Sequence, residues 1–238
     1  MNFHVRSRAF ILCLAVLLPG AVVASEPATR KPNIVFMLVD NLGYGDIGVY
    51  GGGELRGAPT PRIDQLASEG LRLTNFNVEP ECIPSRAALM TGRMPIRSGL
   101  DGQVAVPGNR GGLSPWEFTL PELLQKAGYR TVMYGKWHLG EQDGRLPNDQ
   151  GFDQWWGFPK SSGDTLRELQ PGWTPEIAPQ QPILEGLAGQ PSREVGVYNL
   201  AMRPLMDGII TEKSVAYILE QAGSSKPFFL YVPFSLPH

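Results

Sequence analysis

The segment Cys82-Ile83-Pro84-Ser85-Arg86, followed by Thr91-Gly92-Arg93, gathers a nucleophile, a proline and a fixed positive charge in one short stretch. Pro84 pre-sets the first turn of a helix, so side chain 82 is expected at a helix N-terminus, where unpaired N–H groups and the helix dipole favour an anion. Arg86 follows at helical spacing on the same face and carries a charge that no working pH removes. A nucleophile so placed suits attack on an anionic ester. The residues alone leave three fates for Cys82: a reactive thiolate activated by positive surroundings, an inert buried thiol, or a cysteine consumed by earlier chemistry. The phosphate loop that accompanies cysteine phosphatases is absent nearby.

Three further polar groups stand at the ends of apolar runs. Asp40 and Asn41 offer oxygen donors to a hard cation, although an acid in such a place also serves as a turn or helix cap. Lys136-Trp137-His138, flanked by Gly135 and Gly140, projects Lys136 and His138 to one side if strand geometry persists, with Trp137 packed behind; a lone Lys-x-His also occurs on ordinary surface. His238 follows the apolar run that starts at Phe228.

These groups need a scaffold that brings them together. Asn33–Val39 is a continuous apolar, β-branched run, which predicts a strand buried on both faces of a parallel sheet. Thr60–Gly70 and Thr119–Gly128 each carry a cap residue, an early proline and a terminal glycine, the punctuation of a helix. The spacing predicts a helix from Pro84 to Met90, and strands over Leu71–Val78, Tyr129–Tyr134 and Pro227–Val232. A helix is expected over Thr211–Ala222, with Val215, Ile218 and Leu219 inward. Gly157–Pro204 is dense in Pro, Gly, Gln and Ser and predicts a long irregular excursion. Alternating strands and helices imply an α/β sandwich whose ligands gather beyond the carboxyl ends of the strands.

The chain has 238 residues, 42% hydrophobic side chains and a formal charge of -2, ordinary values for a globular domain. It lacks the basic stripe of a nucleic-acid binder. Arg6, Arg8, the apolar run Ala9–Leu18 and the small residues up to Ala24 predict a signal peptide over residues 1–24, cleaved after Ala24. The run is shorter than the ~18 residues of a spanning helix, so no stable membrane anchor is expected, and Cys13 lacks the context of a lipid-modified cysteine. Cys82 is then the one cysteine in an oxidising compartment, where unpaired thiols are unusual.

The cysteine segment resembles the signature of the sulfatase family, type I and formylglycine-dependent, in which Cys-x-Pro-x-Arg is oxidised to Cα-formylglycine and Thr-Gly-Arg follows. Val39-Asp40-Asn41-Leu42-Gly43 is similar to the first metal-binding segment of that family, whose usual second aspartate is Asn41 here; one ligand charge fewer lowers calcium affinity. Gly135–Gly140 and Phe228–His238 are similar to the segments that bear a sulfate-binding lysine and two histidines. The likeness runs from Lys31 to His238 and is closest to arylsulfatase A-like members, including Arg110–Leu113 and Gln150–Phe152. It implies an alkaline-phosphatase-like sandwich with a mixed, largely parallel sheet. Residues 31–238 would form the N-terminal part of a catalytic domain, truncated before further metal ligands, a second lysine and a smaller C-terminal domain.

What the resemblance implies of function is sulfate ester hydrolysis. Cys82, Arg86, Lys136, His138 and His238 would be catalytic, and Asp40, Asn41 and residue 82 would hold one Ca2+, with Mg2+ as the alternative. Partners would be a small-molecule or glycan sulfate ester and, during maturation, a formylglycine-generating enzyme. Ser161 and Ser162 fall roughly where such enzymes place a polar substrate contact. Phosphonate or phosphodiester hydrolysis on the same scaffold is an alternative, and an inert fragment or binding remnant another. No Asn-x-Ser/Thr acceptor occurs, which favours a periplasmic or secreted protein over a lysosomal one.

Overall fold

The computed structural model describes residues 30–102 and 111–238. The signal-peptide segment 1–24, Cys13 and Arg110 lie outside them. Six strands form one sheet in the order β1-β6-β2-β3-β4-β5, where β1 is Ile34–Leu38, β2 Arg130–Lys136, β3 Gln154–Phe158, β4 Gln181–Leu187, β5 Arg193–Tyr198 and β6 Phe228–Pro233. The first four in that order run parallel and β4 and β5 are antiparallel. Helices α1 (Pro61–Glu69), α2 (Cys82–Thr91), α3 (Pro95–Ser98), α4 (Leu120–Lys126) and α5 (Met206–Gln221) complete the fold.

Alternation along β6 decides the layers, because successive side chains of a strand leave opposite faces. Phe229 and Tyr231 join a core with Ile83, Ala87 and Met90 of α2 and, at its margin, Leu120 and Leu124 of α4. Phe228, Leu230 and Val232 join a second core with Met206, Ile210 and Tyr217 of α5. Every residue of β6 is buried, and each large apolar side chain so placed stabilises the fold by about 1.5–3 kcal/mol. Helix α4 begins as its sequence predicts: the Glu122 amide donates to Thr119 Oγ1 and the Thr119 amide to Glu122 Oε2.

Four expectations need correction. Strand β1 is not buried on both faces. Ile34, Phe36 and Leu38 pack inward, whereas Val35 and Met37 are exposed, because α5 lies mainly against β2 and β6. Leu71–Val78 is no strand; its alternation finds no ladder, and Arg72 and Tyr50 side chains bond backbone oxygens of Val49 and Leu73 instead. Gly157–Pro204 is not irregular throughout: it holds the end of β3, a 3-10 helix over Ser162–Leu169 and the β4–β5 pair. Pro182 and Gly186 hid β4, and both are rare in strand interiors. Helix α5 starts earlier than expected and turns a different face inward. Met206, Ile210, Ser214, Tyr217 and Gln221 are buried while Val215 and Leu219 are exposed.

One local feature ties the three central strands together just before they end. Gly135 of β2 pairs with Gly157 of β3, and a Cβ on Gly157 would run into the Gly135 carbonyl oxygen. A Cβ on Gly135, whose φ is +134°, would run into the carbonyl oxygen of Pro233 in β6. Only glycine permits both approaches.

Candidate active site

Strands β1, β6 and β2 end on the same side of the sheet, and their C-terminal extensions carry Asp40, His238 and Lys136-Trp137-His138. Lys136 is the last residue of β2, fully buried at 0% exposure. Its Nζ donates to Asp40 Oδ2 at 2.5 Å. Arg86 of α2, 1% exposed, places NH2 3.3 Å from that same oxygen. Arg86 NH1 donates to the Lys136 carbonyl at 3.1 Å and to the Tyr231 hydroxyl at 3.3 Å. One carboxylate thus faces two cations in a place from which water is excluded. The trio carries net positive charge, and an anion is the natural complement.

Cys82 is the first residue of α2, as the position of Pro84 predicts. Its Sγ lies 3.9 Å from His238 Nε2. Among the described residues, Asp40, Cys82 and His238 form a group whose ligand atoms all lie within 4.8 Å of one another, a possible metal-binding set. Both cations approach Oδ2 of Asp40. Asn41 stands beside Asp40, exposed and with left-handed backbone (φ +59°), a conformation in which Asn is enriched.

The strand geometry expected to carry His138 does not persist. Strand β2 stops at Lys136 and His138 adopts φ +58°, while its amide donates to the Pro159 oxygen at 3.1 Å. Trp137 between them is wholly buried, its indole N–H on the Arg145 carbonyl. His138 Nδ1 is buried without a hydrogen-bond partner. Burial first, then the nearby charges of Lys136 and Arg86, push its imidazole from 6.5 down to about 2. Burial and then Arg86 lower Lys136, against the pull of Asp40. Burial and then Lys136 hold His238 below the usual histidine range.

The His138 shift has a measurable sign. The unfolded chain takes up a proton below pH 6.5 and the folded chain does not, so this contribution to stability is complete above 6.5 and lost as pH falls toward about 2. Each unit of pH in that window costs at most about 1.4 kcal/mol for the one proton. His138→Asn, which tolerates a left-handed backbone, is expected to flatten the acid limb of urea unfolding between pH 6.5 and 4 relative to the parent. Parallel acid limbs would show that His138 is not the group responsible.

Two polar partners were weakly signalled or missed in the sequence. Ser161 Oγ accepts from Lys136 Nζ at 3.3 Å and lies 3.3 Å from His238 Nε2, linking the two. It stands just beyond β3, a strand the periodicity did not reveal. Tyr231 sits in the apolar run of β6; the signal available was that a buried tyrosine hydroxyl needs a partner.

Residues 32–238 match the family model described as Sulfatase. Rat (Rattus norvegicus) arylsulfatase G is 35% identical over 253 residues, covering 95% of this chain and 47% of that protein. Human (Homo sapiens) arylsulfatase A is 49% identical over 144 residues, 59% of this chain and 28% of that protein. The crystal structure of PsFucS1 sulfatase from Pseudoalteromonas sp. superposes with a TM-score of 0.74 at 37% identity, covering 88% of this chain and 44% of that one. The chain spans a little under half the length of rat arylsulfatase G and of PsFucS1 sulfatase. The sheet of mixed, mostly parallel strands between helices is the alkaline-phosphatase-like fold of these relatives. With the family model spanning β1 to β6 and a relative of such identity along nearly all of its length, the chain belongs to the sulfatase family.

Proposed function

We propose that the protein hydrolyses sulfate esters through an aldehyde hydrate made from Cys82, with a divalent cation beside it. The observation that carries this reading is the burial of Lys136 and Arg86 around a single carboxylate, next to side chain 82. Cys82 stands here for the residue before oxidation. The hydrate's first hydroxyl would occupy the region of Sγ, at the positive end of α2.

In this reading Lys136 and Arg86 bind the sulfate oxygens and stabilise the charge that develops on them. The hydroxyl of residue 82 gives up its proton to solvent and attacks sulfur, and the bond from sulfur to the ester oxygen breaks. His238 gives that oxygen its proton. The charge of a bound sulfate ester offsets that of Lys136, which favours the protonated imidazole of His238. His138 is the base for the second hydroxyl once the bound anion offsets the charges of Lys136 and Arg86, which with burial keep it neutral in the free site. The carbon–oxygen bond to sulfate breaks, the aldehyde re-forms, and a water adds to it to restore the hydrate. Water never attacks sulfur, which is the advantage of a diol over a serine or thiol nucleophile.

The donors fit one side of a hard-cation site. Asp40, Asn41 and the oxygen of oxidised residue 82 would hold Ca2+, which takes about six to eight oxygens in all; Mg2+ is the alternative. When bound, the ion supplies Lewis acidity that lowers the cost of an alkoxide at residue 82. Export rests on residues 1–24. Among the described residues no helix is long and apolar enough to cross a membrane.

Mass spectrometry of the peptide spanning Cys82, from protein matured in its native host, is expected to show the aldehyde. The same preparation is expected to hydrolyse an aryl sulfate in preference to a phosphodiester and to lose that activity to a chelator. An unmodified thiol in that peptide, with no hydrolysis of sulfate esters, would overturn the reading.

A further inference from the structure

Beyond Pro233 the chain has no regular structure, yet His238 must point at residue 82. What fixes it is a set of side chains at the entrance to α5. Asp207 spans two successive amides: Oδ1 accepts from Ser235 N at 2.8 Å and Oδ2 from Leu236 N at 3.0 Å. Arg203 NH2 donates to the backbone oxygen of His238 at 2.7 Å, and NH1 reaches the Ser162 carbonyl at 3.4 Å. Ser162 Oγ in turn donates to the Ser235 carbonyl at 3.0 Å. A Cβ at Gly163 would come within 3.2 Å of His238 Cε1. The imidazole lies over bare backbone.

We propose that Arg203 and Asp207 are positioning residues that hold His238 against residue 82 and so set its transfer of a proton to the departing oxygen. The proposal rests on the sulfatase reading for the identity of that proton's acceptor. Neither residue touches the reacting atoms. A group that acts only through the proton donor has a distinctive signature: its loss matters in proportion to the basicity of the leaving oxygen. A phenolate that is already stable departs unaided, and a less acidic phenol does not.

The test compares the full chain with its Asp207→Ala and Arg203→Ala variants on 4-nitrophenyl sulfate and on unsubstituted phenyl sulfate. The variants are expected to lose about 10²-fold in kcat on phenyl sulfate, the scale of a misplaced catalytic group, and far less on 4-nitrophenyl sulfate. Asp207→Asn, which keeps one acceptor, and Arg203→Lys, which keeps one donor arm, are expected to fall between, and they carry the test if an alanine variant does not fold. Glu212→Gln, exposed on α5, is expected to match the parent on both esters. Equal losses on both esters would overturn the proposal and reduce the two residues to structural support. Crystal structures of the variants decide the geometry whether or not the parent turns over sulfate esters. An imidazole still 3.9 Å from residue 82 in Asp207→Ala refutes positioning, while a displaced one in a protein without sulfate ester hydrolysis sinks the functional reading alone.

Discussion

Cys82→Ser is expected to release one equivalent of alcohol per chain and then stop. Serine offers a hydroxyl in the place of Sγ, beside His238 and the two buried cations, so attack on sulfur remains available. The product is a serine sulfate with no second hydroxyl. Nothing can collapse to expel sulfate, and release then requires water to attack sulfur inside a site built for something else. Steady turnover should fall by roughly 10⁴-fold, as it does when a covalent catalyst loses its turnover step. Rapid-quench measurement of the first turnover, with mass spectrometry of the residue-82 peptide, reads both the burst and the retained sulfate. Sustained turnover near the parent rate by the serine variant would remove the hydrate from the mechanism.

The largest effect on stability is expected from Asp40→Asn. Asp40 is 4% exposed and takes Lys136 and Arg86 on one oxygen. Asparagine keeps the shape and removes the charge, leaving two buried cations against a neutral amide. Breaking a buried pair in this way costs about 3 to 5 kcal/mol, far more than any exposed ion pair. For a chain of this size the drop in Tm is on the order of 10 °C. Inorganic sulfate should recover part of it, because an anion bound between Lys136 and Arg86 supplies the missing charge and stabilises by linkage. Since sulfate also strengthens burial generally, the measured quantity is the extra gain of the variant over the parent in thermal unfolding. A variant as stable as the parent would mean that the carboxylate does not balance the two cations.

Both predictions use groups that were legible as residues before their geometry was known, and the pattern of success has a physical cause. Strands β1 and β6 are apolar runs rich in Ile, Val, Phe and Leu, β2 holds Thr131-Val-Met-Tyr134 at its centre, and the sequence pattern located all three. Helix α4 announced itself through Thr119, Pro121 and Gly128, whose signals are local. Where long-range packing decides, the signal failed. Strand β3, Gln-Trp-Trp-Gly-Phe, is short and broken by Gly157, and β4 contains Pro182 and Gly186; glycine and proline are depleted in strands, and here neighbours supply the ladder. In α5, Ser214 and Gln221 face inward while Val215 and Leu219 face out, a choice no local rule makes.

The site divides along the same line. Asp40, Lys136 and His238 come together because parallel strands β1, β2 and β6 end together, and α2 brings Cys82 and Arg86 to that end. His138 was expected to follow strand geometry, and the left-handed backbone at that residue replaced it. Ser161 depended on β3 and stayed uncertain with it. The contacts of Arg203 and Asp207 join α5 to a segment near residue 238, and such a separation leaves no trace in spacing.

The meeting of Gly135 and Gly157 bears on how new specificities can arise on this frame. With three main chains in contact and no side chain between them, the floor that carries Lys136 cannot be widened or tilted by point changes. Diversification toward bulkier or differently shaped esters must therefore be confined to the segments above that floor, and a library built by mutating the floor itself would return mostly misfolded protein.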